Sequence, residues 1–259
     1  MLLVLDIGNT EITLGLFRGR ELGPSWRLTT APDRTPDEWS TALGAFLSHH
    51  GLSPSEVRAV CMASVVPPVT RSVANAVTIA TGHRPTQIDA QSSLPVVLDV
   101  DEPFNVGADR IVNAIAALER YDGDVIVVDF GTATTFDCVM GDGRFIGGAI
   151  MPGLRTSADQ LTRMTAKLPA TELAPPERAI GRRTVEAIQA GVLFGAADAI
   201  DGMLRRIRAE WPASGRPRAV ATGGLSVIVA PLCQEVDEVE RNLTLYGLCR
   251  AAGLLGLVW

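Results

Sequence analysis

Residues Val125-Ile126-Val127-Val128-Asp129-Phe130-Gly131-Thr132-Ala133-Thr134-Thr135 set four consecutive β-branched side chains before an acidic residue and a glycine-bearing, hydroxyl-rich turn. A strand apolar on both faces belongs in the middle of a sheet. The chain opens on a near-copy, Leu2-Leu3-Val4-Leu5-Asp6-Ile7-Gly8-Asn9-Thr10, which runs on into Ile12-Thr13-Leu14-Gly15-Leu16-Phe17. Each copy reads as strand, Asp-x-Gly turn, second strand, and the two aspartates lie 123 positions apart (129 − 6). Similarity at that distance predicts two related half-domains rather than a solenoid of short repeats.

Chemistry gives such a turn a use. Glycine lets backbone approach a ligand closely, and exposed amide and hydroxyl donors can hold phosphate oxygens. A carboxylate at the strand end can hold a cation or a metal-bound water that does the same. The competing reading is a plain tight hairpin, since Asp-x-Gly often starts one. Two copies, each behind a fully apolar strand, favour a nucleotide phosphate clamp.

The chain has 29 acidic against 23 basic residues, a net charge of -6, which argues against a nucleic-acid surface. Lys167 is the single lysine, so a Walker-type lysine is absent and arginine must bind anions. Cys61, Cys138, Cys233 and Cys249 form no Cys-x-x-Cys pair and read as reduced thiols. His49, His50 and His83 lack metal-ligand spacing. Asp6 interrupts the opening apolar run before a signal core can form. No apolar run reads as long enough for a bilayer, so a soluble cytoplasmic protein with no membrane partner is expected. With 47% hydrophobic residues, the chain can fill one large core or two of about 120–130 residues.

Along the chain, residues 1–30 read as a meander with a turn at Gly23-Pro24 and a third strand over Ser25–Thr29. Thr35-Pro36-Asp37-Glu38 is a helix start, closed at Gly51. A strand is expected over Val57–Val65, a helix over Val69–Thr81 and a short strand near Thr86–Asp89. Residues 90–106 form a long loop that ends in Gly107-Ala108-Asp109-Arg110 and a helix. Asp109 there is either a carboxylate favoured by the helix dipole or one placed beside an acceptor hydroxyl. Gly147-Gly148 marks close backbone approach to a ligand, or a strand-end bulge. A helix follows over Leu154–Met164, then a loop over Ala170–Arg182 and a long helix from Thr184. Arg218–Thr222 is a strand that enters the Gly223-Gly224 turn, either a plain strand-to-helix turn or a seat for a nucleoside. Leu243–Leu248 precedes an apolar C-terminal helix. The pattern fits mixed sheets flanked by helices.

Asp6-x-Gly8-Asn9-Thr10, Ser64-Val65-Val66-Pro67-Pro68, Gly107-Ala108-Asp109-Arg110, Asp129-Phe130-Gly131-Thr132-Ala133-Thr134, Gly147-Gly148-Ala149-Ile150, Ala221-Thr222-Gly223-Gly224 and Leu243-Thr244-Leu245 occur in this order. The chain thereby resembles the type III pantothenate kinases over nearly its whole length. The resemblance implies an α/β fold of two ribonuclease-H-like (actin-like ATPase) domains, 1–120 and 121–259, each a mixed β-sheet flanked by helices, around a nucleotide cleft. It implies ATP-dependent phosphorylation of pantothenate to 4'-phosphopantothenate, the first step toward coenzyme A, in a homodimer. Asp6, Ile7, Gly8, Asn9, Thr10, Glu11, Ile12 and Thr13 would hold ATP phosphates, with Thr132. Leu98, Gly107, Ala108, Asp109, Arg110 and Thr184 would contact pantothenate, with Asp109 as general base. Asp129 would hold potassium or ammonium, and magnesium would accompany ATP.

Two departures from the family pattern stand out. Glu11 stands where an uncharged or weakly basic residue is usual, and a carboxylate there repels phosphate unless a cation intervenes or the side chain turns away. Ser92-Ser93 and Leu98 stand where a Thr-Gly pair and a tyrosine bordering the acceptor pocket are usual. Two alternatives follow: a kinase for a related small hydroxy acid, and a catalytically silent paralogue that binds nucleotide or pantothenate as a sensor.

Overall fold

The computed structural model describes residues 1–259. The chain divides into two compact units, one of residues 1–120 with 244–259 and one of residues 121–243. The last segment therefore counts with the first unit, not with the second domain to which the boundary 121–259 assigned it.

In the first unit, β1 (Leu2–Ile7) is the central strand the apolar run predicts. It pairs antiparallel with β2 (Glu11–Arg18), which pairs antiparallel with β3 (Glu21–Thr29). On its other side β1 runs parallel to β4 (Ala59–Ser64), which runs parallel to β5 (Thr86–Ile88). The order is β3-β2-β1-β4-β5. Leu3, Leu5 and Ile7 point into one core with Trp39, Leu43 and Leu47 of α1 (Pro36–His49) and Val69, Val73 and Val77 of α2 (Pro67–Thr81). Leu2 and Val4 point into another, which Ile111, Val112 and Ile115 of α3 (Ala108–Arg120) share. Two-residue periodicity thus sends alternate side chains of one strand into two helical layers.

A capping box at Thr35 and Glu38 starts α1 as its sequence requires. Several boundaries move. The third strand begins at Glu21, and the reversal falls at Gly19, whose φ is +58°. Gly23-Pro24 lies at a register shift of β2 against β3, on an edge strand where proline's missing N–H costs no ladder bond. α2 starts at Pro67, since prolines suit the first helical positions. The loop over 90–106 contains a two-residue strand, β6 (Val97–Leu98), and a 3₁₀ turn at Pro103–Asn105.

The second unit repeats the meander. β7 (Val125–Phe130) pairs antiparallel with β8 (Ala133–Val139), and β8 with β9 (Arg144–Pro152). α4 (Leu154–Arg163) and α5 (Thr184–Ala209) follow. β10 (Arg218–Thr222) then pairs parallel with β7; after α6 (Ser226–Val229), β11 (Glu238–Val239) pairs parallel with β10. Ile126, Val128 and Phe130 of β7 pack with Leu193, Ile200 and Leu204 of α5. Gly147 (φ +107°) and Gly148 (φ +153°) sit by a register shift of β8 against β9, which is the bulge reading of that pair.

The five-strand order β3-β2-β1-β4-β5 of the first unit recurs as β9-β8-β7-β10-β11 in the second, and with helices flanking each sheet both units are ribonuclease-H-like. The chain ends in α7 (Leu243–Leu254), which includes Leu243–Leu248 rather than following them. Leu245, Leu248, Ala251 and Ala252 join Phe17, Ile111 and Val112 in the core of the first unit. The four cysteines are unbridged. Contrary to the sequence expectation, α5 is long and apolar enough by length and composition to cross a membrane, at 26 residues and a mean hydropathy of 1.3. Its buried face is the one that covers the sheet: Ile188, Leu193, Ala197, Ile200 and Leu204.

Candidate active site

The first Asp-x-Gly turn closes the C-terminal end of β1. Gly8 N–H donates to the Glu11 carbonyl at 3.0 Å, which ties the turn shut. A Cβ at Gly8 would lie 3.1 Å from that same oxygen, so glycine fits the tight return. Two bonds from beyond β3 brace the turn: Thr30 Oγ1 donates to Gly8 O at 2.6 Å and Thr30 N–H to Thr10 O at 2.9 Å. Asn9, Thr10 and Glu11 are exposed, Asp6 and Gly8 are half-buried, and Ile7 and Ile12 are core side chains. Ile7 and Ile12 can therefore offer a ligand only their backbone. Glu11 points toward Arg27, 3.9 Å away on β3.

The second candidate motif lies against the same strand ends. Val65 N–H, just past β4, donates to Ile7 O at 3.1 Å. Val65 Cγ1 would stand 3.4 Å from a Cβ at Gly107, which precedes α3. One residue thus links the Asp6 turn to Gly107-Ala108-Asp109-Arg110. That hypothetical Cβ would also meet Asp109 Oδ1 at 2.5 Å, so the glycine leaves room for the carboxylate to fold back over it. Arg110 N–H donates to Asp109 Oδ1 at 2.8 Å. Burial pushes the Asp109 carboxyl above the usual carboxylate range, against the Arg110 amide and guanidinium, which pull it down. Leu98 is partly buried against the core behind this helix.

In the second unit, Asp129 is the next-to-last residue of β7, and three glycines crowd the turn that follows. Gly131 N–H donates to Ala133 O at 3.1 Å. A Cβ at Gly223 (φ +88°) would stand 2.4 Å from Asp129 Oδ1 and 2.8 Å from Phe130 O. Gly153 N–H donates to Thr132 O at 3.1 Å, and a Cβ there would collide with that oxygen at 2.4 Å. Thr156 Oγ1 donates to Thr132 O at 2.7 Å. The sequence reading missed Gly153, Thr156 and Thr30 as supports; Met151-Pro152-Gly153, where β9 runs out into glycine, was the available signal for the first of them.

Around Gly223 the Asp129 carboxylate stands beside both the N–H and the carbonyl of Phe130, so the carboxylate and the carbonyl are the oxygens a hard cation could use there. No cluster of three or more His, Cys, Asp or Glu side chains is present for a transition metal. Thr184, the first residue of α5, is exposed at the rim of a cavity of about 590 Å³ between α4 and α5. Its walls are mostly apolar (Leu154, Ile188, Ile200) and include Thr134, whose buried hydroxyl has no hydrogen-bond partner.

Residues 2–206 match the sequence profile of the type III pantothenate kinase family. A type III pantothenate kinase of Thermomicrobium roseum is 46% identical over 248 residues, 96% of this chain and 95% of that one. One of Moorella thermoacetica is 42% identical over 248 residues, 96% of this chain and 97% of that one. Among solved structures, the ethanolamine utilization protein EutJ of Carboxydothermus hydrogenoformans superposes with a TM-score of 0.56 at 14% identity, covering 96% of this chain and 88% of that one. That likeness speaks to the fold alone. With the Asp-x-Gly turns, the Asp109 loop and this identity along nearly its whole length, the chain belongs to the type III pantothenate kinase family.

Proposed function

We infer that the protein transfers the γ-phosphoryl group of ATP to the primary hydroxyl of pantothenate, which gives 4'-phosphopantothenate and opens coenzyme A synthesis. Beside the family membership, the observation that carries this reading is Asp109, a half-buried carboxylate folded over Gly107 at the start of α3. Phosphoryl transfer is mostly positioning and charge neutralisation, so the base needs only hydrogen-bond reach of the acceptor hydroxyl. Asp109 accepts the hydroxyl proton, and its raised affinity for protons suits that role. Gly107, Ala108, Arg110, Leu98 and Thr184 bound the acceptor, with Arg110 facing its carboxylate.

Asp6 through Thr13 hold phosphate oxygens through turn amides and the hydroxyls of Thr10 and Thr13, helped by Thr132; Ile7 and Ile12 contribute backbone only. The carboxylate of Asp129 would hold a monovalent cation, potassium or ammonium, which offsets phosphate charge in a chain with one lysine. Magnesium accompanies ATP. Glu11 motivated a silent-sensor reading, but its exposed side chain leans to Arg27, which lowers the repulsion toward phosphate. The protein works as a soluble, cytoplasmic homodimer; exposed Ile150, Leu161, Met164, Ile180 and Val185, on and around β9, α4 and the start of α5, supply apolar surface for a second copy.

The test is coupled ADP release with ATP, magnesium and pantothenate, in potassium and then sodium, for the wild type and Asp109→Asn. Turnover that collapses in the variant is expected. A wild-type chain that is folded and dimeric but shows no turnover would overturn the reading.

A further inference from the structure

Not every amide of the hairpin that closes β1 is available to a ligand. In a trans peptide the C=O and the following N–H point in opposite directions, so a partner on one fixes the heading of the other. No peptide here is cis. The Ile7–Gly8 peptide is used at both ends: Val65 N–H donates to Ile7 O at 3.1 Å, and Gly8 N–H donates to Glu11 O at 3.0 Å. The next peptide, Gly8–Asn9, is held at its oxygen by the Thr30 hydroxyl, which donates at 2.6 Å. Asn9 N–H therefore points away from Thr30, on an exposed residue of the turn.

The two residues of this peptide do not fix its heading by themselves. Reversing it changes ψ of Gly8 and takes φ of Asn9 to positive values. Glycine permits the first change freely, and asparagine tolerates the second better than most side chains. Reversed, the peptide turns Gly8 O outward, where a carbonyl oxygen repels the phosphate that an amide attracts. The half-buried Thr30 hydroxyl is what separates the two headings. Its backbone is anchored independently, since Thr30 N–H donates to Thr10 O at 2.9 Å. The turn of the second unit carries a further lock. There Thr132 O accepts from Gly153 N–H at 3.1 Å as well as from Thr156 Oγ1 at 2.7 Å, and the next residue is Ala133, which resists positive φ.

We propose that Thr30 is a positioning residue for ATP: its hydroxyl holds the Gly8–Asn9 peptide so that Asn9 N–H, and not Gly8 O, faces the nucleotide phosphates. This rests on the assignment of the first turn to ATP made above. The same bond polarises the peptide and strengthens its amide as a donor.

The test uses Thr30→Val, which keeps the branched shape without the donor, and Thr30→Ser, which keeps the donor without the methyl. Thr78→Val is the control, since that hydroxyl donates to Ala74 O at 2.8 Å near the far end of α2. Calorimetry with a non-hydrolysable ATP analogue and magnesium reads binding without chemistry, and ADP-release assays read KM for each substrate. Thr30→Val should weaken analogue binding and raise KM for ATP about five- to tenfold, the scale of one hydrogen bond. KM for pantothenate should stay within about twofold, because only nucleotide binding is touched. Thr30→Ser and Thr78→Val should keep wild-type values for both substrates. Unchanged analogue binding in a folded Thr30→Val overturns the proposal, as does an equal rise in both KM values or a failure of serine to restore them. A wild type that binds the analogue yet leaves pantothenate unphosphorylated overturns the kinase reading alone, and the binding arm still decides for or against Thr30. Where Thr30→Val does not fold, amide NMR of the wild type decides. The analogue should shift the Asn9 N–H signal, and an unmoved signal overturns the proposal.

Discussion

Gly223 sits directly against Asp129: a Cβ at position 223 would stand 2.4 Å from Asp129 Oδ1 and 2.8 Å from Phe130 N. The backbone there has φ +88°, so alanine meets both a collision and a conformation it rarely adopts. Gly223→Ala should displace the carboxylate and lower turnover at least about tenfold. The cost in stability should be about 1–3 kcal/mol, as for other overpacked sites. Gly224→Ala, with nothing within 4 Å of the added carbon, is the control. Parallel thermal melts and ADP-release assays read both effects, and wild-type turnover in Gly223→Ala would show that Asp129 need not hold its place.

Asp109→Asn separates activity from stability. Burial raises the Asp109 carboxyl above its ordinary value, so the folded chain holds the proton more readily than the unfolded chain. The sign follows: ionisation of Asp109 costs the fold stability that asparagine does not lose. The melting temperature of Asp109→Asn minus that of the wild type should therefore grow as pH rises past about 3.9, the unfolded value. It should level off above the folded one. Wild-type kcat should fall on the acid side at a higher pH than an unperturbed aspartate allows, and the variant should be inactive throughout. A pH series of melts and rates checks both; a gap that shrinks with pH would count against a raised carboxyl.

Glu11→Gln removes the one carboxylate exposed on the first turn while keeping its shape. Its ion pair with Arg27 is long, at 3.9 Å, and both side chains are about half exposed. Such a pair contributes roughly 0–1 kcal/mol, so the melting temperature should hardly move. Removing a negative charge near the phosphates should lower KM for ATP about two- to fivefold, most clearly at low ionic strength. An unchanged KM at low salt would mean that the side chain stays clear of the nucleotide.

Much of this architecture is legible in the amino acids because the local signals agree. β1 and β7 are unbroken apolar runs, and Thr35–Glu38 carries its own capping box. The unread parts depend on partners distant in sequence. Pro24 looks like a turn until β2 is known to pair on one side only of an edge strand. Leu243–Leu248 reads as the lead-in to a C-terminal helix until α7 is known to include it and to pack on α3. At the candidate site, the motif positions could be read but not the direction of each side chain. Ile7 and Ile12 stand inside a ligand motif yet face the core, because alternation along a strand sends them inward whatever the turn does. The closeness of Gly223 to Asp129 could not be read either, since it follows from the pairing of Thr222 with Asp129, 93 positions apart (222 − 129).

The return of α7 to the first unit rests on one close crossing, and that crossing can be tested alone. A Cβ at Gly247 would stand 2.1 Å from Val112 O and 2.8 Å from Val112 Cγ1, so the two helices touch backbone to backbone. Around that point Leu245, Leu248, Ala251 and Ala252 are buried, and no flexible side-chain tip stands between glycine and carbonyl to give way. Gly247→Ala must push α7 off α3 and open the core it shares with Phe17 and Ile115. The expected loss is about 1–3 kcal/mol or more, which at this chain length lowers the melting temperature by at least roughly 2–4 °C per kcal/mol. Gly44→Ala is the contrast: Gly44 is internal to α1 with open space at its Cβ position. Helix propensity alone should make that change neutral to stabilising by about 0.5–1 kcal/mol. Opposite signs for the two substitutions in one set of melts would establish the close crossing, and a shared sign would refute it.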